Sequence, residues 1–162
     1  MTHLERRVID SVNGTGTPYE IININPEFSD TTSFCEKYGY GYDMTCNTII
    51  VASKKEPKRI ATCVVLAHTR LDVNKRVKNL LGVPKASFAS PAEVLELTGM
   101  EIGGVTPFSL PTDLPLYIDE RVMIPEWVIL GGGSRGIKIK VKPEVLTKLG
   151  GEVIEGLAIP LT

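Results

Sequence analysis

The stretch Gly99-Met100-Glu101-Ile102-Gly103-Gly104-Val105-Thr106-Pro107-Phe108 constrains this chain more than any other. Two adjacent glycines free the backbone to adopt positive φ and let another group approach closely. Pro107 fixes its own φ and pushes Thr106 toward an extended conformation. The shape of the loop is therefore set by its backbone, and such a loop can aim several N–H groups at one point. Taken alone, Gly-Gly-x-x-Pro is a rigid connector. What precedes it is well signalled: Ser90-Pro91-Ala92-Glu93 is a capping box with proline at the first helical position, opening a helix that carries Val94, Leu95 and Leu97 and ends at Thr98-Gly99.

The rest of the chain alternates irregularly between the two periodicities. Leu4, Val8, Ile9 and Val12 recur at helical spacing, with Asn13-Gly14 as the stop. Tyr19 to Ile24 reads as a strand, and Ser29 or Asp30 caps a helix that carries Phe34 and Cys35 and ends near Gly39. Thr48 to Ala52 and Arg59 to Ala67 read as an antiparallel hairpin. Asp72 caps a third helix, with Val73, Val77, Leu80 and Leu81 on one face and Gly82 at its end. Leu116 to Ile118 and Trp127 to Leu130 are strands. Ile137, Ile139 and Val141 alternate with Lys138, Lys140 and Lys142, which predicts a strand with one buried and one solvated face. A last helix covers Pro143 to Leu149. The mixture favours an α+β fold over a doubly wound parallel sheet. At 162 residues, with no linker or repeat, residues 1–162 read as one domain.

Composition excludes little but bounds the chemistry. A formal net charge of -1 gives no global attraction to nucleic acid, so any RNA contact must be local. Basic residues group at Lys54, Lys55, Lys58 and Arg59, at Lys75, Arg76 and Lys78, and along Arg135, Lys138, Lys140 and Lys142. Cys35, Cys46 and Cys63 form no C-x-x-C pair, so neither a zinc site nor a disulfide framework is expected, and a reducing cytoplasm fits. The start of the chain does not resemble a signal peptide, and the apolar stretch around Ala61 to Ala67 is too short to span a bilayer.

Gly131-Gly132-Gly133-Ser134-Arg135-Gly136 matches G-x-G-x-x-G literally, yet a lysine-alternating strand follows where a dinucleotide site needs a helix. The segment is a glycine-rich hairpin loop or a second backbone-defined pocket wall with Ser134 and Arg135 at its mouth. His3 and His68 lie in no metal-like spacing, Ser109 in no nucleophile elbow. Cys46 is either a nucleophile or a buried thiol. Tyr38, Tyr40 and Tyr42 line a pocket or pack.

Read in order, Arg70-Leu71-Asp72-Val73, Leu80-Leu81-Gly82, Ala89 to Val94, Thr98-Gly99, Gly103 to Phe108, Tyr117-Ile118-Asp119 and Gly132 to Ile137 resemble the YbaK-like family of aminoacyl-tRNA editing domains, which includes the editing domain inserted in bacterial prolyl-tRNA synthetase. The resemblance runs from about Tyr19 to Leu149. It implies a mixed, curled, barrel-like β-sheet flanked by helices. It also implies hydrolysis of the ester joining a wrong amino acid, such as alanine, cysteine, serine or threonine, to the 3′ end of a tRNA. Editing of this kind exists because a synthetic site cannot strongly reject a smaller or similar amino acid by binding alone.

The resemblance further places Gly103, Gly104 and Pro107 in a loop that stabilises the oxyanion, with Thr106 and Phe108 beside the substrate. Gly131, Gly132, Gly133, Ser134 and Arg135 would shape the amino-acid pocket. Asn47 stands where many members carry lysine, and would orient the substrate without a charge. The attacking water would be positioned by a ribose hydroxyl and backbone groups, so no cofactor and no metal are expected. Partners would be the aminoacylated 3′ end of tRNA and an aminoacyl-tRNA synthetase, with no DNA and no membrane. The alternative that Asn47 raises is a non-catalytic module of the same fold that binds aminoacyl-tRNA or a synthetase.

Overall fold

Ile60-Ala61-Thr62-Cys63-Val64-Val65-Leu66 has no polar face, and in the computed structural model, which describes residues 1–161, it is the middle strand of the largest sheet. In chain order the elements are α1 (His3–Thr15), β1 (Tyr19–Asn23), α2 (Thr31–Tyr38), β2 (Cys46–Ser53), β3 (Ile60–Leu66), β4 (Thr69–Leu71), α3 (Lys78–Leu81), β5 (Ala86–Phe88), α4 (Pro91–Thr98), β6 (Leu116–Asp119), β7 (Val128–Gly131), β8 (Ile137–Val141), α5 (Val145–Lys148), β9 (Glu152–Ile154) and β10 (Ala158–Pro160). The main sheet runs β5-β2-β3-β6-β9. β2 pairs antiparallel with β3 and β5, whereas β6 and β9 join in parallel. An antiparallel sheet β1-β8-β7 and a two-stranded β10-β4 complete the strands. The class is mixed α+β, as expected. The strands nevertheless form three open sheets and not one curled barrel. A single parallel bridge, Thr45 to Ile129, ties the start of β2 to β7.

Both faces of β3 are covered, which explains a run that is apolar apart from the buried Thr62. Val64 and Leu66 point into a core shared with α1, α5 and the β1-β8-β7 sheet. Ala61, Cys63 and Val65 point to the other side, against Val73, Val77 and Leu81 and the C-terminal residues Leu157 and Ala158. Each fully buried aliphatic of this kind stabilises the fold by about 1.5–3 kcal/mol. A third cluster forms where α2 packs Phe34 and Cys35 on Ile129 and Ile24.

Caps set most helix boundaries. Thr2 and Glu5 form a capping box on α1, Asp30 caps α2 through the Ser33 N–H, and Ser90 with Glu93 boxes α4. α1 runs past Asn13-Gly14 because Gly16, not Gly14, takes the left-handed cap, at φ 70°. After Asp72 the chain first makes a wide turn, Val73–Val77, in which the Val77 N–H reaches the Asp72 carbonyl, and only then the short α3. The Pro143 to Leu149 helix shortens to Val145–Lys148.

The predicted solvated face of β8 is the larger correction. Lys138 is only 6 % exposed, because α2 and the loop before it lie across that face of the sheet. Lys140 and Lys142 are half-buried with their ammonium groups over the Trp127 ring, at 5.6 and 5.3 Å from its centroid.

A fully buried Asp119 anchors the C-terminal segment. Its Oδ1 accepts the Ala158 N–H at 3.0 Å, its Oδ2 faces Arg121 Nη1 at 3.5 Å, and that same nitrogen donates to the Ala158 carbonyl at 3.1 Å. Replacing Asp119 by Ala leaves a buried N–H without its acceptor and an arginine without its partner. The expected cost is about 3 kcal/mol, read as a lower urea midpoint, with the Ala158 amide losing hydrogen-exchange protection first.

Candidate active site

β2 and β7 touch at the Thr45–Ile129 bridge and then separate, and β5 pairs with β2 only from Val51 onward. Between these limits one edge of β2 has no neighbouring strand. The opening is a cavity of about 450 Å³, a size typical of small-ligand sites. Its walls come from several elements, with Phe88 and Ala89 at the end of β5 and Val94 on α4 among them. Cys46 to Ile50 line it from β2, Ser29 to Thr32 from the start of α2, Ile102, Gly103 and Val105 from the loop after α4, and Gly131 and Lys138 from the second sheet. A larger cavity of about 680 Å³, beside His68, Arg121, Trp127 and Lys140, contains none of the residues that the family resemblance assigns to the site.

The two glycine-rich loops meet backbone to backbone. The Gly133 N–H donates to the Gly104 carbonyl at 2.8 Å, and the Gly104 N–H closes a turn on the Glu101 carbonyl at 2.9 Å. A Cβ on Gly104 would lie 2.7 Å from the Ser134 backbone, and one on Gly131 would collide with the Val105 carbonyl. Gly103 takes φ +98° with Ser29 Oγ only 2.6 Å from where its Cβ would be. Here glycine is required by close approach, and at position 103 also by the backbone angle.

Of the residues singled out from the sequence, Asn47, Gly103 and Gly131 line the cavity. Gly104 and Gly133 form the loop–loop contact, and Gly132 packs its backbone against Ile137. Thr106, Pro107 and Phe108 are buried behind the loop, with Phe108 in the main core. Ser134 turns toward α1 and donates to Glu5, whose carboxyl is held below its ordinary pKa chiefly by that bond. Arg135 braces the wall from outside, its Nε on Ser29 Oγ at 2.9 Å and its Nη2 on the Pro26 carbonyl at 3.1 Å.

The polar groups of the cavity are few. The Thr31 hydroxyl donates to Asn47 Oδ1, which leaves the Asn47 amide N–H groups for a ligand. Thr48 contributes a buried hydroxyl without a partner among the described residues. The Asp30 carboxylate accepts the Ser33 N–H and is held below the usual carboxylate range, first by its hydrogen bond to the Ser33 side chain. Whereas Asn47 brings no charge, Lys138 supplies the cavity with an ammonium group. Burial lowers its pKa to about 8. Nothing in the alternation Ile-Lys-Ile-Lys-Val-Lys separates Lys138 from its neighbours, since only the packing of α2 does so.

Tyr38 and Tyr40 pack on Phe34 away from the cavity. Among the described residues no group of three histidine, cysteine or acidic side chains is placed to hold a metal, and no helix is long and apolar enough to cross a membrane.

Residues 26–149 match the aminoacyl-tRNA editing domain family, and the chain belongs to it. It is 37% identical over 93 residues to the uncharacterized protein YwhH of Bacillus subtilis (strain 168), covering 57% of this chain and 58% of YwhH. The match thus spans little more than half the length of that relative. It is 25% identical over 117 residues, 72% of this chain and 70% of the other, to a protein of Enterococcus faecalis (strain ATCC 700802 / V583) provisionally named Cys-tRNA(Pro)/Cys-tRNA(Cys) deacylase EbsC. A crystal structure provisionally named a trans-editing enzyme for prolyl tRNA synthetase superposes with a TM-score of 0.81 at 24% identity, covering 100% of this chain and 99% of that one, which establishes a common fold.

Cys46 lies in the cavity wall, but burial raises its thiol far above the ordinary cysteine value. It holds its proton at neutral pH, and a protonated thiol is a poor nucleophile. Alkylation of Cys46 by iodoacetamide at pH 7.5, followed by peptide mass spectrometry, is expected to run at least about 100-fold slower than that of free cysteine.

Proposed function

We propose that this chain is a free-standing aminoacyl-tRNA deacylase that acts in trans on a tRNA mischarged with a small amino acid. What supports the reading is the cavity of about 450 Å³ whose reactive wall is peptide backbone. The Gly103 and Val105 amides face no acceptor among the described residues, so both are available to a developing oxyanion. Gly104, whose N–H is committed to Glu101, and Pro107 set the path of the loop. One preorganised donor of this kind accelerates acyl transfer about 100- to 1,000-fold. A water held by the vicinal ribose hydroxyl of the terminal nucleotide attacks the ester carbonyl. The amino acid departs as its carboxylate once the tetrahedral intermediate collapses and the ribose oxygen regains a proton.

The Asn47 amide orients the aminoacyl group, and the Asp30 carboxylate pairs with its α-ammonium. Cys46, Ile49, Val94 and Val105 enclose a small side chain. Alanine, cysteine, serine and threonine are the candidates, and the name given to EbsC favours cysteine among them. The tRNA body meets the exposed basic groups around Lys54 and Lys58, in the cytoplasm, alone or beside a synthetase.

The test is release of amino acid from tRNAs carrying alanine, cysteine, serine or threonine. At least one should be hydrolysed about 100-fold or more above the spontaneous rate, and no turnover on any of them sinks the reading. The commitment of Asn47 Oδ1 to Thr31 favours a second reading, in which the chain binds the aminoacyl end without hydrolysing it. The Asn47→Lys variant separates the two. Deacylation found only in that variant makes the natural protein a binder, whereas deacylation by the natural protein excludes this.

A further inference from the structure

Lys138 takes no part in the reaction just described, yet it joins the two sides of the cavity. Its Nζ donates to the Ser29 carbonyl at 2.6 Å, in the loop before α2, and to the Gly103 carbonyl at 3.3 Å, in the loop after α4. The Phe34 ring lies beneath it, 5.5 Å from centroid to nitrogen. These contacts use two of the three N–H groups that an ammonium carries. The residue also lines the cavity, so the third is the one left for a ligand.

The chemistry of an amine makes this arrangement directional. With a proton on each of its donor positions, Lys138 holds both carbonyls and still offers an N–H to the cavity. As a neutral amine it has only two N–H groups, and once both carbonyls are served its lone pair faces the ligand. The cavity then changes from donor to acceptor at that point. The Gly103 peptide is tied down at the same time, since its carbonyl meets Lys138 while the N–H of the same peptide unit, that of Gly104, meets Glu101.

We infer that Lys138 is a ligand-binding group of this pocket, turning its remaining N–H on the carbonyl end of a bound acyl-nucleoside while it fixes the Gly103 peptide. The inference rests on the proposal that the pocket takes an acyl-nucleoside, though not on its hydrolysis. The other titratable or charged groups near Lys138 are the Asp30 carboxylate and Cys35 on α2, Cys46 on β2, and Arg135, which bonds Ser29 from the far side. Asp30, held below its ordinary range, stays ionised above neutrality, and Cys46, raised by burial, stays protonated there. Lys138, lowered to about 8, loses its proton within the range of an ordinary titration.

The probe is 3′-acetamido-3′-deoxyadenosine, which keeps the acyl carbonyl, lacks the basic α-amine of an aminoacyl group and is not cleaved. Calorimetry on the natural protein at pH 6.5 and pH 9.5 should show about 10-fold weaker binding at the higher pH, the loss of one charge-assisted hydrogen bond. Lys138→Met should bind about 10-fold more weakly at pH 6.5 and show no pH dependence. Lys138→Gln, which keeps two N–H donors without the charge, should lie between and also be flat with pH; it decides the matter if the methionine variant does not fold. Cys35→Ser should keep the natural pH dependence, and unmodified adenosine should bind equally to all variants. The inference is overturned if the natural protein fails to bind the probe, if its binding does not change with pH, or if either Lys138 variant keeps the natural affinity and pH response. Turnover is no part of this readout, so binding that follows Lys138 without any deacylation would leave the inference standing and remove the enzyme reading.

Discussion

One hydrogen bond between glycines of two loops, from the Gly133 N–H to the Gly104 carbonyl, holds the pocket in shape. It forms because the glycines at the contact put no Cβ in the way. A methyl group on Gly104 would overlap the Ser134 backbone, and one on Gly131 would overlap the Val105 carbonyl. The contact fixes the loop after α4 against the end of β7, and everything that lines the cavity on that side follows from it. Pro107, Thr106 and Phe108 act from behind. Their burial in the core makes the loop an outcrop of the hydrophobic interior, not a mobile flap.

The opposite wall depends on a different force. α2 is short, and it is held by its Asp30 cap and by Phe34 and Cys35 packed on Ile129. Laying this helix over the second sheet buries Lys138, a costly thing to do with an ammonium group. Two carbonyls and an aromatic face offset that cost. Arg135 strengthens the same wall from outside through Ser29 and Pro26. Ser29, nearly fully buried, accepts from Lys138 on its carbonyl and from Arg135 on its hydroxyl, and it is the joint between the walls.

The strong local codes were legible in the sequence. Helical spacing placed α1 and a capping box placed α4, the Gly39 and Gly82 stops held, and the β2–β3 hairpin and β8 lay where periodicity put them. Elements of three residues, β4, β5, β9 and β10, were not legible, because strands that short exist only through their partners. The site was legible in part for the same reason. Gly103 stood out by residue type and Asn47 and Gly131 through the family resemblance, but the burial of Lys138 is a tertiary fact. A strand of alternating lysines looks solvated until a helix is known to cover it. The division into three sheets was equally hidden, since it turns on where β2 and β7 cease to touch.

The unpaired edge of β2 has a consequence for how such a pocket can diversify. Peptide groups on that edge and in the glycine loops offer the same donors and acceptors whatever side chains accompany them. The apolar side chains that reach the cavity from β2 and α4, namely Cys46, Ile49, Ile50 and Val94, can be exchanged for others of similar volume at modest cost. Shape selectivity and the polar frame therefore sit on separable parts of the molecule. A lineage built on this scaffold can change which small acyl group it admits by altering a few methyl groups, with the hydrogen-bonding frame left as it is.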